Sequence, residues 1–213
     1  MFPRALACLL LIASLTLIAD SRSNAAPPAA EKVYVVDSDQ NQPDVILDGS
    51  CDTDPTNNKS CTLRAAVQEA NSDGSPSRIK FASKMTINYP NLEGLIAPFT
   101  VIDASDQWDG NWPAGQPGVI IGEPLNTTGV LAIYGDYAAV YGVEFTGSSS
   151  MGIGVDGSKG TVIGGTEPGQ RNVFSVYNAS IGVEIRDGAS KTDIRGNFFG
   201  TVDGINALFT PGA

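Results

Sequence analysis

The sequence predicts an all-β fold, a parallel β-helix built as a solenoid of short strands, with one capping α-helix at its N-terminal end. Two observations predict it. A pattern of three short apolar segments occurs three times between residues 129 and 199, and one amphipathic segment precedes all three copies. Repeats of about 20 to 50 residues are typical of solenoids, in which each unit buries its apolar face against its neighbours.

Each copy of the repeat begins with a glycine. The leading glycines, Gly129, Gly152 and Gly182, lie 23 and 30 residues apart. The second step is longer mainly because six residues, 166–171, are inserted between two segments of the middle copy. A solenoid tolerates insertions that are confined to a turn. The three copies occupy 129–132, 139–142 and 143–145; 152–155, 162–165 and 172–174; and 182–185, 193–196 and 197–199. Earlier strands are predicted at 33–36, 79–81, 85–87, 99–102 and 119–121.

Equivalent residues of successive copies are expected to stack along the axis of the solenoid. One predicted inward column is aromatic and consists of Phe145, Phe174 and Phe199. A second predicted column is aliphatic and consists of Ala132, Val155 and Ile185.

Polar residues mark the corners between the segments. Asn172 and Asn197 occupy the same corner of successive copies. Their amides either bond to the backbone of the neighbouring copy or are ordinary loop asparagines, and the sequence leaves both interpretations open. The Asp-Gly pairs at 156–157 and 187–188 mark another set of matching turns, because Asp and Gly accept positive φ at low cost.

The segment 62–71 is the predicted helix, with Thr62 as its N-cap and Asn71 in the left-handed closing position. Its apolar stripe consists of Leu63, Ala66, Val67 and Ala70. The first strands of a solenoid expose apolar surface and unpaired edges, which must be covered. We therefore assign residues 33–75 to an N-terminal cap of strand, disulfide loop and helix, and residues 76–213 to the β-helix.

The first 25 residues have the features of a secretory signal peptide. Arg4 precedes an apolar stretch at 5–19, and residues 23–25 (Ser-Asn-Ala) form a small-x-small cleavage site. The apolar stretch is short for a membrane span, so the mature chain is expected to lack one. Residues 26–32 form a Pro/Ala-rich leader that is expected to be disordered. This arrangement predicts a secreted or cell-surface protein.

Charge and composition argue against several functional classes. The 213 residues carry a formal charge of −10, and cleavage of the signal peptide makes the chain one unit more negative. Nucleic acid is not expected as a partner, because its phosphates require a basic surface. The chain contains no histidine, which excludes a Ser-His-Asp or Cys-His relay and metal sites built on histidine.

Cleavage of the signal peptide also removes Cys8 and leaves Cys51 and Cys61. In an exported protein these two are expected to form a disulfide, and two free thiols are the alternative. The loop that they close is short, which gives a stabilisation of about 2–3 kcal/mol in the chain-entropy model.

The stretch 61–71 reads Cys-Thr-Leu-Arg-Ala-Ala-Val-Gln-Glu-Ala-Asn. It resembles the N-terminal module of exported bacterial parallel β-helix proteins, a module named for a Cys-Ser-Leu-Arg-Glu-Ala stretch. Thr62 and Ala65 depart from that pattern, whereas Arg64 matches and by resemblance ties the helix to the first turns of the solenoid. The segments 101–118, 163–175 and 196–204 are similar to a loop and a repeat signature of the same family.

This resemblance covers nearly all of the mature chain. It implies a right-handed β-helix of the pectate-lyase-like type, exported or attached to a surface, without one settled activity. In long members the segment after 204 leads into another strand, whereas residues 211–213 (Pro-Gly-Ala) stop where that strand is expected. The chain is therefore expected to be a fragment of a longer β-helix, and docking of its open end on another copy or a partner is the alternative.

The loop 103–118 is the best candidate for a ligand site. Trp108 and Trp112 offer flat rings for a sugar, and three aspartates offer oxygen ligands for calcium. These aspartates are Asp103, Asp106 and Asp109. The alternative is structural, with tryptophans that cover the flank of the solenoid and aspartates that form turns. No cofactor is expected, apart from the calcium that this loop would accommodate.

Three functions follow in order of preference. The first is a non-catalytic module for surface display, adhesion or extracellular matrix structure. The second is a lyase or hydrolase that acts on an acidic polysaccharide, which would need suitably placed carboxylates. Glu144 aligns with Val173 and Phe198, and Glu184 aligns with Leu131 and Gly154, so no such pair appears. The third is a lectin-like carbohydrate binder. No catalytic residue is assigned, and polysaccharides or other cell-surface components are the expected partners.

Overall fold

The computed structural model describes residues 30–200, apart from 55, 57–58, 89–91, 111–114, 123–128, 148–150 and 177–180. The described chain is mostly β, with one α-helix, α1 (Leu63–Asp73), and two short 3₁₀ turns, Ser105–Gln107 and Pro168–Gln170. The strands are β1 (Lys32–Val36), β2 (Ser77–Phe81), β3 (Met85–Ile87), β4 (Thr100–Asp103), β5 (Val119–Gly122), β6 (Leu131–Ile133), β7 (Ala139–Tyr141), β8 (Val143–Gly147), β9 (Met151–Asp156), β10 (Val162–Ile163), β11 (Val173–Val176), β12 (Ile181–Arg186), β13 (Asp193–Ile194) and β14 (Phe198–Phe199).

The strands form three sheets, and the strand pairs within them are parallel. The first sheet has the order β1-β2-β4-β7-β10-β13, the second β3-β5-β8-β11-β14 and the third β6-β9-β12. From β4 onward the chain visits the first, second and third sheets in turn, so that each strand pairs with its equivalent one repeat later. The predicted all-β, parallel architecture with one helix is confirmed.

One continuous apolar core joins the three sheets and the helix. Side chains of a strand alternate between two faces, so every second residue of these short strands points inward. Fully buried members of the core come from all three sheets and include Ile102, Val140, Ile163, Ile121, Phe145, Phe174, Ile133 and Val155. Burial of an aliphatic or aromatic side chain contributes about 1.5–3 kcal/mol, which makes this core the main source of stability.

The aromatic column is confirmed. Phe174 lies opposite Phe145 on one side and Phe199 on the other, and the ring centroids are 5.2 and 4.7 Å apart. The predicted aliphatic column is wrong in its first member, Ala132, by one residue. Ile133, and not Ala132, lies opposite Val155 and Ile185. Leu131 and Ile133 are both buried, so strand alternation places the small Ala132 on the outer face.

Two asparagine side chains connect neighbouring repeats at the turn between the first and second sheets. Asn172 accepts a hydrogen bond from the Val143 N–H at 3.0 Å and donates one to the Val140 carbonyl at 2.9 Å. Asn197 repeats the arrangement, since it accepts from the Asn172 N–H and donates to the Ile163 carbonyl. Of the two interpretations that the sequence left open, backbone bonding to the neighbouring repeat is the one observed.

Helix α1 begins as predicted and ends later. The hydroxyl of Thr62 accepts a hydrogen bond from the Ala65 N–H at 3.1 Å, which confirms the N-cap. The closing residue is Gly74, with φ of 65°, and not Asn71. Asn71 is still helical, and its side chain bonds to the loop that precedes β4, as a donor to the Gly94 carbonyl and an acceptor from the Ile96 N–H. These bonds attach the helix to the third sheet's side of the molecule, where Leu95 pairs with Ile133.

The cap is held by a disulfide and by a buried carboxylate. Cys51 and Cys61 are bonded, with their Cα atoms 5.2 Å apart, as predicted. The carboxylate of Glu69 on α1 is buried and accepts hydrogen bonds from the backbone N–H groups of Asp48 and Gly49. Arg64 Nε is buried without a hydrogen-bond partner in the described chain, so the tie implied by resemblance stays a prediction.

The predicted signal peptide, most of the leader and the residues after 200 lie outside the described residues. Within the described part of the chain, no helix has the length and apolar character needed to cross a membrane.

Asn172→Ala is expected to lower the free energy of unfolding by about 2–3 kcal/mol, because the buried Val143 N–H loses its acceptor and the Val140 carbonyl loses the donor on the Asn172 side chain. Urea unfolding followed by circular dichroism measures this loss. Asn197→Ala is the matched control, since this half-buried residue makes the same kind of bonds one repeat later and should cost less. Equal losses in the two variants would contradict the expectation that the more deeply buried asparagine contributes more to the free energy of unfolding.

Candidate functional site

The predicted site lies on the outer face of the first sheet, at the carboxyl end of β4. Ile102 points into the core, so its neighbour Asp103 points outward. Its carboxylate accepts a hydrogen bond from Arg78 Nη1 on the adjacent strand β2 at 2.7 Å and another from the Ser105 hydroxyl at 2.6 Å. Both oxygens of Asp103 are therefore engaged by neighbouring residues.

Asp106 lies one turn further along, in the 3₁₀ turn. It pairs with Lys80 of β2, whose Nζ lies 2.5 Å from the carboxylate. The structure thus brings Asp103 and Asp106 to one face, but each carboxylate pairs with a different basic side chain of β2. Arg78 also contacts Glu31, at 3.1 Å. We call Glu31, Arg78, Lys80, Asp103 and Asp106 the first-sheet ion-pair cluster.

The other predicted ligands are placed differently. Trp108 is half-buried, and its indole N–H is buried with no hydrogen-bond partner among the described residues. Asp109 is exposed and accepts a long hydrogen bond, 3.3 Å, from the Gln116 N–H. Trp112 lies outside the described residues. In the described part of the chain, no group of three or more acidic or cysteine side chains has the arrangement of a metal site.

The ion-pair cluster shifts the proton affinities of its members. Burial raises the pKa of Asp103, but the hydrogen bonds from Ser105 and the Arg78 guanidinium outweigh it and hold that pKa below its ordinary value. The hydrogen bond to Asp106 raises the pKa of Lys80. A general base requires a pKa lowered towards neutrality, so Lys80 is poorly suited to abstract a proton. The cluster can fasten β2 to the loop after β4.

Two further outer-face contacts were missed in the sequence. On the third sheet, Asp156 lies opposite Arg186 and receives hydrogen bonds from Nε and, at 2.9 Å, from Nη2. The sequence alignment had paired Asp156 with Asp187 instead. The structure places Asp187 at the position of Gly157, since both have positive φ at the same turn. An alignment on the left-handed residue, and not on the Asp-Gly pairs, would have found the Asp156–Arg186 pair.

The second contact is on the second sheet. Glu144 is buried on the outer face, beside Val173 as predicted, and accepts a hydrogen bond from the Ser175 hydroxyl at 2.6 Å. Burial raises the pKa of Glu144, and the bond from Ser175 only partly offsets that increase. Glu184 lies beside Gly154 as predicted. On the other side of Gly154 lies Ala132, where Leu131 was expected. A catalytic carboxylate pair is therefore not formed by these two residues, which lie on different sheets.

Comparison with protein-family models, with curated proteins and with solved structures finds no match to this chain. The resemblance inferred from the motifs in 61–71 and 163–175 therefore stays a prediction. The functional argument is carried by the residues and contacts described above.

The raised pKa of Glu144 predicts that this residue affects stability in a pH-dependent way. The folded protein binds this proton more tightly than the unfolded chain does, so Glu144 lowers stability as the pH rises above the ordinary carboxyl range. Glu144→Gln is expected to raise Tm at about pH 7 and to have little effect at about pH 3, where the carboxyl is already neutral. Thermal unfolding at the two pH values measures the difference.

Glu167→Gln is the control for this experiment, since Glu167 is an exposed carboxylate of a turn. Its replacement should leave Tm nearly unchanged at both pH values. A fall in Tm for Glu144→Gln at about pH 7 that is absent at about pH 3 would show instead that the ionised carboxylate stabilises the fold.

Proposed function

We propose that this chain is an exported, non-catalytic module with a right-handed parallel β-helix, used for surface display, adhesion or extracellular matrix structure. The observation that carries the proposal is the in-register stack of Phe145, Phe174 and Phe199 beside parallel pairing in all three sheets. Such a stack requires strands at a constant spacing of about 4.8 Å, which a helical path of the backbone supplies. The proposal includes membership of the β-helix family that the sequence motifs resemble.

A scaffold role fits the way the outer faces are built. The ionisable groups found there contact one another across strands, as Asp103 does with Arg78 and Asp156 with Arg186. These contacts hold neighbouring repeats together. The Cys51–Cys61 disulfide is compatible with an oxidising compartment outside the cytoplasm.

Self-association through the last described repeat is part of this proposal. Phe199 is 52% exposed and Ile185 47% exposed, whereas the equivalent Phe174 and Val155 of the preceding repeat are fully buried. Residues 181–200 carry three acidic and three basic side chains, so this repeat is neutral in an otherwise acidic chain. A second copy can therefore approach this surface without the repulsion that acts elsewhere.

Light scattering during gel filtration is expected to show dimers of the full chain that dissociate in Ile185→Lys, because a charge would be buried at the contact. Val35→Lys is the control, since Val35 is equally exposed, at 47%, but lies at the opposite end of the molecule. A monomer at all concentrations would contradict the self-association.

The absence of turnover is tested with a panel of acidic and neutral polysaccharides, each with and without calcium. We expect no release of unsaturated products or of new reducing ends. Release from any polymer that is lost in Asp103→Asn or Asp156→Asn would contradict the non-catalytic role and support the lyase or hydrolase alternative. Retained release in both variants would point to a contaminating enzyme, which a second purification of the protein from a host lacking that activity would remove.

A further inference from the structure

We propose that a groove on the outer face of the third sheet binds a neutral saccharide. This third-sheet groove has a volume of about 210 Å³ and lies between Glu93, Tyr134, Met151 and Arg186, above the backbone of β6. It is separate from the first-sheet ion-pair cluster. The inference rests on the proposed function in one respect, which is that an extracellular location exposes the groove to glycans.

Small residues create the space in the floor of the groove. Ala132 points outward between the buried Leu131 and Ile133, and it lies opposite Gly154 of β9. The Met151 side chain folds over Gly154, where a Cβ atom would come within 2.8 Å of the methionine Cε. A larger residue at 154 would displace Met151 from the wall of the groove, because no real Cβ contact is this short.

The positive end of the groove is a guanidinium in a fixed position. Arg186 donates from Nε and Nη2 to Asp156 and from Nη1 to Glu184 at 3.1 Å. Asp156 is buried, whereas 43% of the Arg186 side chain is exposed. A guanidinium has five N–H groups, so these three hydrogen bonds leave two for a ligand. Because Arg186 is already ordered, a ligand loses less free energy to the ordering of that side chain.

The opposite end of the groove is a carboxylate. Glu93 Oε1 accepts a hydrogen bond from Gln68 Nε2 of α1 at 2.6 Å, which orients the carboxylate. Among the described residues, its other oxygen has no hydrogen-bond partner and can accept a hydrogen bond from a hydroxyl. Glu93 comes from the segment before Leu95, which pairs with Ile133 beside the groove.

Tyr134 provides an aromatic wall. Its ring rests on the backbone at Gly94, where a Cβ atom would approach Cε2 to 2.9 Å, and 48% of the residue is exposed. An aromatic side chain presents an apolar body and a polar hydroxyl together, which suits a ligand that has both C–H and O–H groups on its ring.

The charges at the groove indicate a neutral ligand. Glu93, Asp156 and Glu184 outnumber Arg186, so an anionic sugar would meet net negative charge. A hydroxyl both donates and accepts hydrogen bonds, and it can therefore satisfy the carboxylates and the free guanidinium N–H groups at once. A ligand with several hydroxyls on a compact ring matches the two ends and the aromatic wall together.

Saturation-transfer NMR and calorimetry test the inference with neutral trisaccharides of glucose, galactose, mannose and N-acetylglucosamine, and with a galacturonic acid trimer as the anionic probe. At least one neutral probe is expected to bind. Affinity should fall by at least about tenfold in Ala132→Leu, which fills the groove without removing a polar group, and in Tyr134→Ala. Glu93→Gln should weaken binding by a smaller factor.

Matched variants separate binding from folding. Tyr137→Ala removes a tyrosine that is 45% exposed, stacks on Phe99 and does not line the groove, and Glu167→Gln neutralises a carboxylate of a distant turn. Both should bind the neutral probe as the natural chain does, and circular dichroism should show the same fold in all variants.

Two results would overturn the inference. One is the failure of every neutral probe to bind at about 10 mM, a concentration that saturates a site with a Kd of about 1 mM. The other is unchanged affinity in Ala132→Leu. Preferential binding of the galacturonic acid trimer would contradict the claim that the ligand is neutral. Polysaccharide turnover together with probe binding that is lost in Ala132→Leu would reject the proposed non-catalytic function and support the groove.

Discussion

The constraint on which the structure depends is parallel pairing in register between strands one repeat apart. It places equivalent residues directly beside one another, so the rings of Phe145, Phe174 and Phe199 stack, and Ile121 of β5 continues the same column on the other side of Phe145. It also leaves polar backbone groups at the sharp turns, which the side chains of Asn172 and Asn197 satisfy. Insertions are therefore confined to the turns, as at residues 166–171.

The same constraint shapes the surface. Residues that alternate with the core positions form rows on the outer faces, and charges in adjacent strands lie close enough to pair. Arg78 with Asp103 and Arg186 with Asp156 are the resulting contacts. Where the outward residues are small, as at Ala132 and Gly154, the row of outward side chains is interrupted and leaves a groove. Structural pairing and ligand binding thus use different combinations of the same outward positions.

The sequence could predict much of the fold because the core positions repeat. Strand positions, the Thr62 cap, the Cys51–Cys61 bond and the phenylalanine column follow from local patterns. Registers shifted by one residue were the errors, as with Ala132, because a short strand of three apolar residues does not show which two point inward. The candidate site was only partly accessible to the same reasoning, since Asp103 and Asp106 were identified but the lysine and arginine that bind them lie 25 residues or more earlier.

The sequence by itself determined the parallel all-β class, the repeat and the single helix, because these depend on the spacing of apolar and turn residues along the chain. The tertiary structure alone decided which outward side chains meet. The third-sheet groove joins residues of 92–94, 129–134, 151 and 186, and no local pattern connects them. These residues become neighbours because the chain returns to the same sheet once in each repeat. The number of residues between two returns depends on turns and insertions of different length, so it cannot be read from any one segment.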